Sequence, residues 1–269
     1  MKITTLHLGL LEELTTKILK STDANFVRDK LNFILDHYQI INYEFNYNQA
    51  FWRARKCPTD AGFRNISELG SPPIALTPVG RLNEANDPIL YTSVNQYSTF
   101  MEIDAEEGDF IHIAAFKQSP DKNIRCATIG ELAHMHRWGS GLSSEMVGNL
   151  LNDYMGKMPH DVGKSVIFTD AFFTSLLRDK EAKKTGYLHS RTLSNLIFSR
   201  IPGLDAIIYS GVALESSRNY AFKPACVERT LSIEATFVLK ILKKYKYGIY
   251  DFEVLKNAEG VESDGTLIW

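Results

Sequence analysis

The sequence contains little cysteine: Cys57, Cys126 and Cys226 are far apart in 269 residues and have no CxxC spacing. An odd number of scattered cysteines indicates neither a disulfide framework nor a zinc knuckle, and it favours a reducing compartment. Proline is also scarce, at 9 residues, while 44% of the residues are hydrophobic and 23% are charged. This composition is typical of a globular protein with a large core and excludes a disordered or fibrous chain.

Long apolar runs and an excess of one charge are missing as well. No stretch approaches the ~18 apolar residues that a membrane span needs, and the formal net charge is -2. The first residues, MKITTLHLGLLEELTTK, interrupt their leucines with acidic residues, which predicts an amphipathic helix and not a signal peptide. A nearly neutral surface has no general attraction for nucleic acid or anionic membranes. We therefore expect a cytoplasmic protein with no membrane or nucleic-acid partner.

The spacing of apolar residues divides the first two-thirds of the chain into three parts. Helical spacing predicts two helices in residues 6–38, separated by a break and cap at Ser21-Thr22-Asp23. Residues 51–116 contain β-rich runs, FWRAR, PILYTSV and DFIHIAAF, separated by Pro, Gly and Asn clusters. Helical spacing returns in residues 128–177, in IGELAHM, EMVGNLLNDYM and SVIFTDAFFTSLL.

The last third predicts a mixture of helices and strands. Residues 191–198 predict a helix, DAIIYSGVAL a buried strand and NYAFKP a second short strand. IEATFVLKILKKY is expected to be helical, so the basic run at residues 240–246 is interpreted as the solvated face of a helix end. We predict one α+β fold, with a helical N-terminal extension over residues 1–45 and a main domain over residues 46–269. A helical insertion at about residues 128–185 interrupts this domain.

Three short motifs suggest chemistry that the surrounding sequence does not support. Gly163-Lys164-Ser165 ends a VGKS segment, but the first glycine of a phosphate-binding loop would fall on Met158, so that loop is excluded. His134 and His136 have no HExxH pattern or cysteine pair beside them, so no metal is expected. No GxSxG elbow is present, and a serine hydrolase has no support.

An ordered set of motifs starts at Gly80, where GRLNEANDPILYTSVNQYSTFMEID spaces Arg81, Tyr91 and Glu102 by ten and then eleven residues. FWRAR precedes this stretch, and DAIIYSGVALESSRNYAFKP follows the predicted insertion. The order resembles the RES family, named for its Arg, Glu and Ser. That family has an RxR-like strand, a GRxN turn, a P-x-LY strand and an acidic residue, followed later by a strand ending in Tyr and Ser before an Asn. The resemblance covers residues 51–224, about two-thirds of the chain.

The sequence departs from the family pattern at two points. A Gly that usually follows the GRxN turn is replaced by Ala85-Asn86, and we expect the turn to be retained because Asn tolerates the left-handed backbone conformation. The family serine corresponds to Ser210 or, one place later, to Gly211. We choose Ser210 because it alone carries a hydroxyl, while Gly211 would leave that role vacant.

The resemblance implies a fold like that of ADP-ribosyltransferase toxins, with NAD as the substrate in a cleft between short, bent sheets. The residues that it assigns to catalysis are Arg81, Tyr91, Glu102 and Ser210. The residues that it assigns to substrate binding are Arg53, Asn83 and Asn219. It also implies a small helical antitoxin as a protein partner, and the extra helices leave self-association into a homo-oligomer as an alternative.

Cleavage of the nicotinamide–ribose bond suits these residue types. Positive charge develops on the ribose while nicotinamide leaves as a neutral molecule, so one carboxylate, Glu102, suffices where a glycosidase normally uses two. Arginine suits the diphosphate because its planar fork donates two parallel charge-assisted hydrogen bonds. Tyr91 can stack on a ring of the substrate, and Ser210 and Asn219 can hold polar groups.

Three functions remain open at this point. The first is transfer of ADP-ribose to water or phosphate, which depletes NAD and arrests growth as bacterial toxins of the family do. The second is an ADP-ribosyltransferase that uses the same site to modify a protein or nucleic-acid acceptor. The third is a non-catalytic module that binds a nucleotide or a partner. Glu102 argues against the third function, whereas a vacant serine position would favour it.

Overall fold

The computed structural model describes residues 5–214 and 217–269, which form an α+β fold. The remaining residues, at the start of the predicted amphipathic helix and at Glu215-Ser216 of the last RES-like motif, lie outside the described part. The helices are α1 (Leu8–Lys20), α2 (Ala24–Leu35), α3 (Gln96–Glu102), α4 (Glu131–Trp138), α5 (Glu145–Gly156), α6 (His160–Arg178), α7 (Leu188–Arg200) and α8 (Pro224–Thr230). The strands are β1 (Ile41–Phe45), β2 (Phe51–Cys57), β3 (Leu90–Ser93), β4 (Phe110–Gln118), β5 (Ile124–Thr128), β6 (Ala206–Ser210), β7 (Arg218–Phe222), β8 (Leu231–Lys244), β9 (Tyr250–Asn257), β10 (Gly260–Val261) and β11 (Leu267–Ile268).

One large sheet contains β1 to β9 in the order β1-β5-β6-β7-β3-β2-β4-β8-β9. Neighbouring strands are antiparallel, except that β5 and β6 are parallel. β2 and β3 pair through Trp52 and Ser93 alone, whereas β2 pairs with β4 along its whole length from Phe51 to Cys57. The hydrogen-bonded ladder is therefore interrupted in the middle of the sheet, between β3 and β2.

An aromatic cluster holds the two halves of the sheet together across this interruption. Phe51 on β2 packs edge-on against Tyr220 and Phe222 on β7, with ring centroids 4.9 and 5.1 Å apart. Phe51 and Phe222 are completely buried. Burying a side chain of this size contributes about 1.5–3 kcal/mol. These contacts therefore fix β2 relative to β7 where the backbone pairing between β2 and β3 is short.

The two predicted N-terminal helices are confirmed as α1 and α2. The side chain of Asp23 accepts hydrogen bonds from the backbone N–H groups of Asn25 and Phe26, so it is the predicted cap of α2. The buried apolar residues of both helices belong to one core with those of α6, α7 and β6. The end of the expected helical extension is instead a strand, because Ile41–Phe45 pair with β5.

The predicted helices of the insertion are also confirmed, as α4, α5 and α6. Asp170, completely buried on α6, anchors the start of α4. Its carboxylate accepts hydrogen bonds from Gly130 N at 2.8 Å, Ala133 N at 2.9 Å and the Tyr38 hydroxyl at 3.1 Å. Burial raises the pKa of Asp170, while these bonds act in the opposite direction. The Asp170 carboxylate on α6 thus connects the N-terminal region, through Tyr38, with the start of α4.

The prediction that IEATFVLKILKKY is helical is wrong. Apolar residues recur every four positions, at Ile233, Phe237 and Ile241, and this spacing is typical of one face of a helix. The segment nevertheless forms the long strand β8. β8 lies between β4 and β9 and pairs with both of them. Pairing on both edges overrides the local helical spacing. The basic run accordingly ends a strand, where Lys244 bonds to Asp104 and Glu106.

The other predicted strands are confirmed as β2, β3, β4, β6 and β7, and the predicted helix at residues 191–198 lies within α7. Helix α3, which was not predicted, interrupts the β-rich region and ends at Glu102. Within the described ranges, no helix combines the length and the apolar character that crossing a membrane requires.

Candidate active site

A cavity of about 340 Å³ lies where β2 and β3 cease to pair. Its walls come from β2, β3, α3, β6, β7, the turn before β3 and the turn before α7. The residues that line it are Trp52, Arg53, Ala54, Arg81, Tyr91, Thr92, Ser93, Thr99, Glu102, Ile103, Tyr187, Tyr209 and Asn219. The predicted site residues Arg53, Arg81, Tyr91, Glu102 and Asn219 therefore share one cavity, although they are far apart in the sequence.

Glu102 is the carboxylate of this cavity, and its position is fixed from two sides. It is the last residue of α3, a helix that starts at Asn95, whose side chain accepts hydrogen bonds from Tyr97 N and Ser98 N. The Oε1 atom of Glu102 accepts hydrogen bonds from Val212 N and from Asn219 Nδ2, each at 3.0 Å. Since both bonds end on Oε1, Asn219 orients the carboxylate and is a positioning residue for Glu102.

Four residues form a row across the floor of the cavity. Tyr209 on β6 is in register with Asn219 on β7, which is in register with Ser93 on β3 and, through it, with Trp52 on β2. Residues in register on antiparallel strands point to the same face of a sheet, so the strand pairing itself gathers these side chains. Burial raises the pKa of Tyr209, and the negative charge of Glu102 raises it further.

Three cavity residues carry buried polar atoms that have no hydrogen-bond partner among the described residues. These atoms are Arg53 Nη1, Thr92 Oγ1 and Asn219 Oδ1. Burial, together with the charge of Arg55, lowers the pKa of Arg53 to about 10, so its guanidinium remains protonated at neutral pH. An unpaired buried polar group costs about 1–3 kcal/mol. A ligand that brings both acceptors and donors into this cavity would remove that cost.

Arg81 lines the cavity, but it also joins the insertion to the turn before β3. Its Nη1 atom donates hydrogen bonds to the carbonyl oxygens of Leu177 at 3.0 Å and Asp179 at 2.9 Å, at the C-terminal end of α6. This end of a helix carries partial negative charge, which a cation stabilises. The guanidinium of Arg81 also lies 5.4 Å from the centre of the Tyr187 ring. Arg81 is therefore structurally engaged, whereas Arg53 Nη1 is unpaired.

Tyr91 faces the cavity while its hydroxyl supports the turn before β3. The hydroxyl donates to Asn83 Oδ1 at 2.8 Å and accepts from Leu82 N at 2.9 Å. Burial raises the pKa of Tyr91. Asn83 does not line the cavity: it is buried, and its Nδ2 donates to the carbonyl oxygens of Pro78 and Glu84. The structure thus places Asn83, predicted to bind the substrate, outside the cavity lining, where it holds the turn before β3 and the Tyr91 hydroxyl.

The backbone of this turn agrees with the expectation for Asn86, which adopts a φ of 62° in the left-handed region. Gly80, the first residue of the GRLN motif, is closely surrounded. A β-carbon there would lie 3.2 Å from the Tyr91 hydroxyl oxygen and would collide with the Asn83 side chain. The GRLN turn therefore needs glycine at its start.

Ser210, predicted as a catalytic residue, does not line the cavity that holds the other predicted catalytic residues. It follows Tyr209 on β6, and neighbouring residues on a strand point to opposite faces. The Ser210 side chain instead borders a separate space of about 100 Å³ beside α4 and α6. The alternative position, Gly211, lies against the site. A β-carbon at Gly211 would lie 2.9 Å from Glu102 Oε1 and still closer to Ser217 Oγ. The hydroxyl expected from the resemblance is therefore absent at Gly211, and Ser217 fills the adjoining space.

Several residues that line the cavity were not predicted. Trp52 and Tyr209 lie within the quoted motifs FWRAR and DAIIYSGVAL, next to Arg53 and Ser210. Strand alternation could have identified Tyr209 in place of Ser210, but it gives no signal for Trp52, because its neighbour Arg53 lines the same cavity. Thr99 lies one turn before Glu102 on the unpredicted helix α3. Tyr187 comes from the turn before α7 and had no sequence signal beyond the preceding glycine.

In the part of the chain that the structure describes, no group of three or more His, Cys, Asp or Glu side chains is placed to hold a metal ion. Comparisons with protein-family models and with curated proteins give no significant match. The chemistry of the cavity is therefore inferred from its own residues.

Proposed function

We propose that this protein cleaves the nicotinamide–ribose bond of NAD and transfers ADP-ribose to water or phosphate, as a growth-arresting toxin of the RES type would. One observation carries the proposal. The Glu102 carboxylate, held by Asn219 and Val212, lines the same cavity as Arg53, whose Nη1 atom is buried and has no hydrogen-bond partner among the described residues. A carboxylate beside an unpaired arginine suits a substrate that develops positive charge at one atom and carries phosphate at another.

The cavity residues account for the chemistry of the first step. Water attacks C1 of the ribose as the bond to nicotinamide breaks, and the bonding electrons move to the ring nitrogen, which becomes neutral. The products are nicotinamide, ADP-ribose and a released proton. Glu102 stabilises the positive charge on the ribose, and Asn219 keeps the carboxylate oriented through its bond to Oε1. Arg53 binds the phosphate next to this ribose.

The size of the cavity favours the nicotinamide half of the dinucleotide. Small-molecule sites have volumes of about 300–1,000 Å³, and this cavity, at about 340 Å³, is close to the lower limit. We infer that nicotinamide, its ribose and one phosphate occupy the cavity, while the adenosine half extends through the open side. The aromatic residues Trp52, Tyr91 and Tyr209 then supply the flat surfaces around the nicotinamide and the ribose.

Nicotinamide release by purified protein tests this proposal, with wild type compared with Glu102→Gln. Glutamine keeps an oxygen that can accept the bonds from Val212 and Asn219, but it lacks the charge, so we expect release to fall about 100-fold or more. Glu234→Gln is the matched control, since Glu234 is a half-exposed acid on β8 that pairs with Lys117. It should retain the wild-type rate.

The second product separates the alternatives. Free ADP-ribose indicates transfer to water, a phosphorylated ADP-ribose indicates transfer to phosphate, and a modified protein or nucleic acid indicates an ADP-ribosyltransferase. Protein that binds NAD but leaves it intact at high concentration would contradict the catalytic proposal in favour of a binding module. A Glu102→Gln variant as active as wild type would remove Glu102 from the mechanism.

A further inference from the structure

Tyr187 is the one cavity residue that comes from the end of the helical insertion, and its backbone is unusual. It has φ of 59° and ψ of 25°, and Gly186 before it has φ of 58°. This left-handed conformation is ordinary for glycine, but it is strained for a bulky aromatic residue. The Tyr187 backbone N donates to Ala182 O at 2.7 Å, and its carbonyl accepts from Arg191 N at 2.9 Å. Glycine could make the same backbone bonds with less strain.

The contacts of the ring therefore have to explain a tyrosine at this position. Among the described contacts, the guanidinium of Arg81 lies over the ring, 5.4 Å from its centre, and both side chains line the cavity. Arg81 in turn donates to the carbonyl oxygens of Leu177 and Asp179. Arg81 therefore connects the Tyr187 ring to the end of α6, and the two side chains together form a part of the cavity wall that lies outside the sheet.

We propose that Tyr187 is a specificity-determining residue whose ring forms the surface on which a heteroaromatic ring of the substrate stacks. The inference rests on the proposed function and assigns the helical insertion a part in substrate binding. An aromatic side chain that lines a cavity can stack on the ring of a nucleotide. The shared chemistry is that of a pyridine or purine ring, and the experiment distinguishes the two.

The test is the effect of Tyr187→Gly on turnover of NAD. Because stacking stabilises the bound substrate and the transition state alike, we expect KM to rise about ten-fold while kcat changes little. The variant should remain folded, because glycine relieves the left-handed backbone and so offsets part of the loss of the ring contact with Arg81. Tyr187→Phe keeps the ring and should restore most of the affinity.

Tyr247→Gly is a matched control, since Tyr247 also has a positive φ, of 65°, and is almost fully exposed at the turn between β8 and β9. The same substitution there relieves the same backbone conformation far from the cavity lining, so KM should stay at the wild-type value. Inhibition by nicotinamide and by ADP-ribose identifies the ring: the inhibitor whose affinity Tyr187→Gly weakens is the one that stacks.

Three results would overturn the inference. An unchanged KM in Tyr187→Gly, with wild type active, contradicts it and leaves the proposed function intact. An equal rise of KM in Tyr187→Gly and Tyr187→Phe would assign the effect to the hydroxyl and not to stacking. If wild type binds NAD without cleaving it, the dissociation constants of the same variants replace KM. If wild type neither binds nor cleaves NAD, the proposed function fails, and this inference fails with it.

Discussion

His112 should make the stability of the fold depend on pH between about pH 6.5 and pH 4. It is completely buried on β4, where Nδ1 accepts a hydrogen bond from Phe63 N at 3.0 Å. The proton of the neutral ring is therefore on Nε2, which contacts Thr236 Oγ1 at 2.7 Å. Protonation of Nδ1 would turn it into a donor facing another donor. Burial is the largest cause that lowers the pKa of His112 to about 4, and the charges of Lys256 and Arg55 add to it.

The sign and the size of the effect follow from this lowered pKa. Above pH 6.5 the ring is neutral in both the folded and the unfolded chain, so the contribution to stability is complete. As the pH falls from 6.5 to 4, the unfolded chain binds a proton that folded His112 does not, and stability is lost. Each ten-fold difference in proton affinity is worth about 1.4 kcal/mol, so the loss is about 3 kcal/mol.

Urea denaturation at pH 7 and pH 4 measures this loss, with wild type compared with His112→Asn. Asparagine keeps an acceptor near the position of Nδ1 but does not titrate. The variant will be less stable at pH 7, because the smaller side chain leaves space in the core. Its loss of unfolding free energy between pH 7 and pH 4 should be about 3 kcal/mol smaller than that of wild type. The same loss in both proteins would refute the assignment to His112, because the carboxyl groups contribute equally to the two.

Three further substitutions test other parts of the structure. Arg81→Met should lower the unfolding free energy by about 1–2 kcal/mol in urea titration, because the carbonyls at the end of α6 lose a charged donor. Gly211→Ala should reduce NAD turnover at least about ten-fold, because the added β-carbon displaces Glu102. Gly156→Ala is the control and should leave turnover unchanged, because a β-carbon at residue 156 has no atom within 4 Å beyond its chain neighbours and its own helix. Tyr38→Phe should cost about 1–3 kcal/mol, because a buried carboxyl, Asp170, loses a donor, and equal stability would contradict the anchoring role.

Local sequence patterns correctly predicted the helices and strands in which the spacing of apolar residues matches the period of the element that forms. The start of α2 is an example, because the Asp23 side chain satisfies backbone N–H groups within three residues, and the helices of the insertion follow their apolar spacing. β8 is the opposite case: Ile233, Phe237 and Ile241 have helical spacing, and only the edges of β4 and β9 decide that the segment is a strand. Pairing between distant segments is not encoded in local spacing.

The order of the motifs in the sequence predicted which residues would lie close together in the candidate site. Arg53, Arg81, Tyr91, Glu102 and Asn219 line one cavity as expected. How each side chain is used was not predictable, because it depends on hydrogen bonds between distant parts of the chain. The Arg81 guanidinium is bonded to the end of α6, about a hundred residues away, while Arg53, which lines the same cavity, has an unpaired buried nitrogen.

The choice between Ser210 and Gly211 illustrates the limit most clearly. A shift of one residue along a strand reverses the face to which a side chain points, so counting from Asn219 with an uncertainty of one residue could not decide which position faces Glu102. Ser210 was chosen for its hydroxyl, but Tyr209 and Gly211 are the residues beside the carboxylate. At Gly211 the lack of a β-carbon lets Glu102 Oε1 and Ser217 Oγ approach the strand end. The position closest to Glu102 is therefore determined by space and not by a hydroxyl, and the serine that lines the cavity is Ser93 on β3.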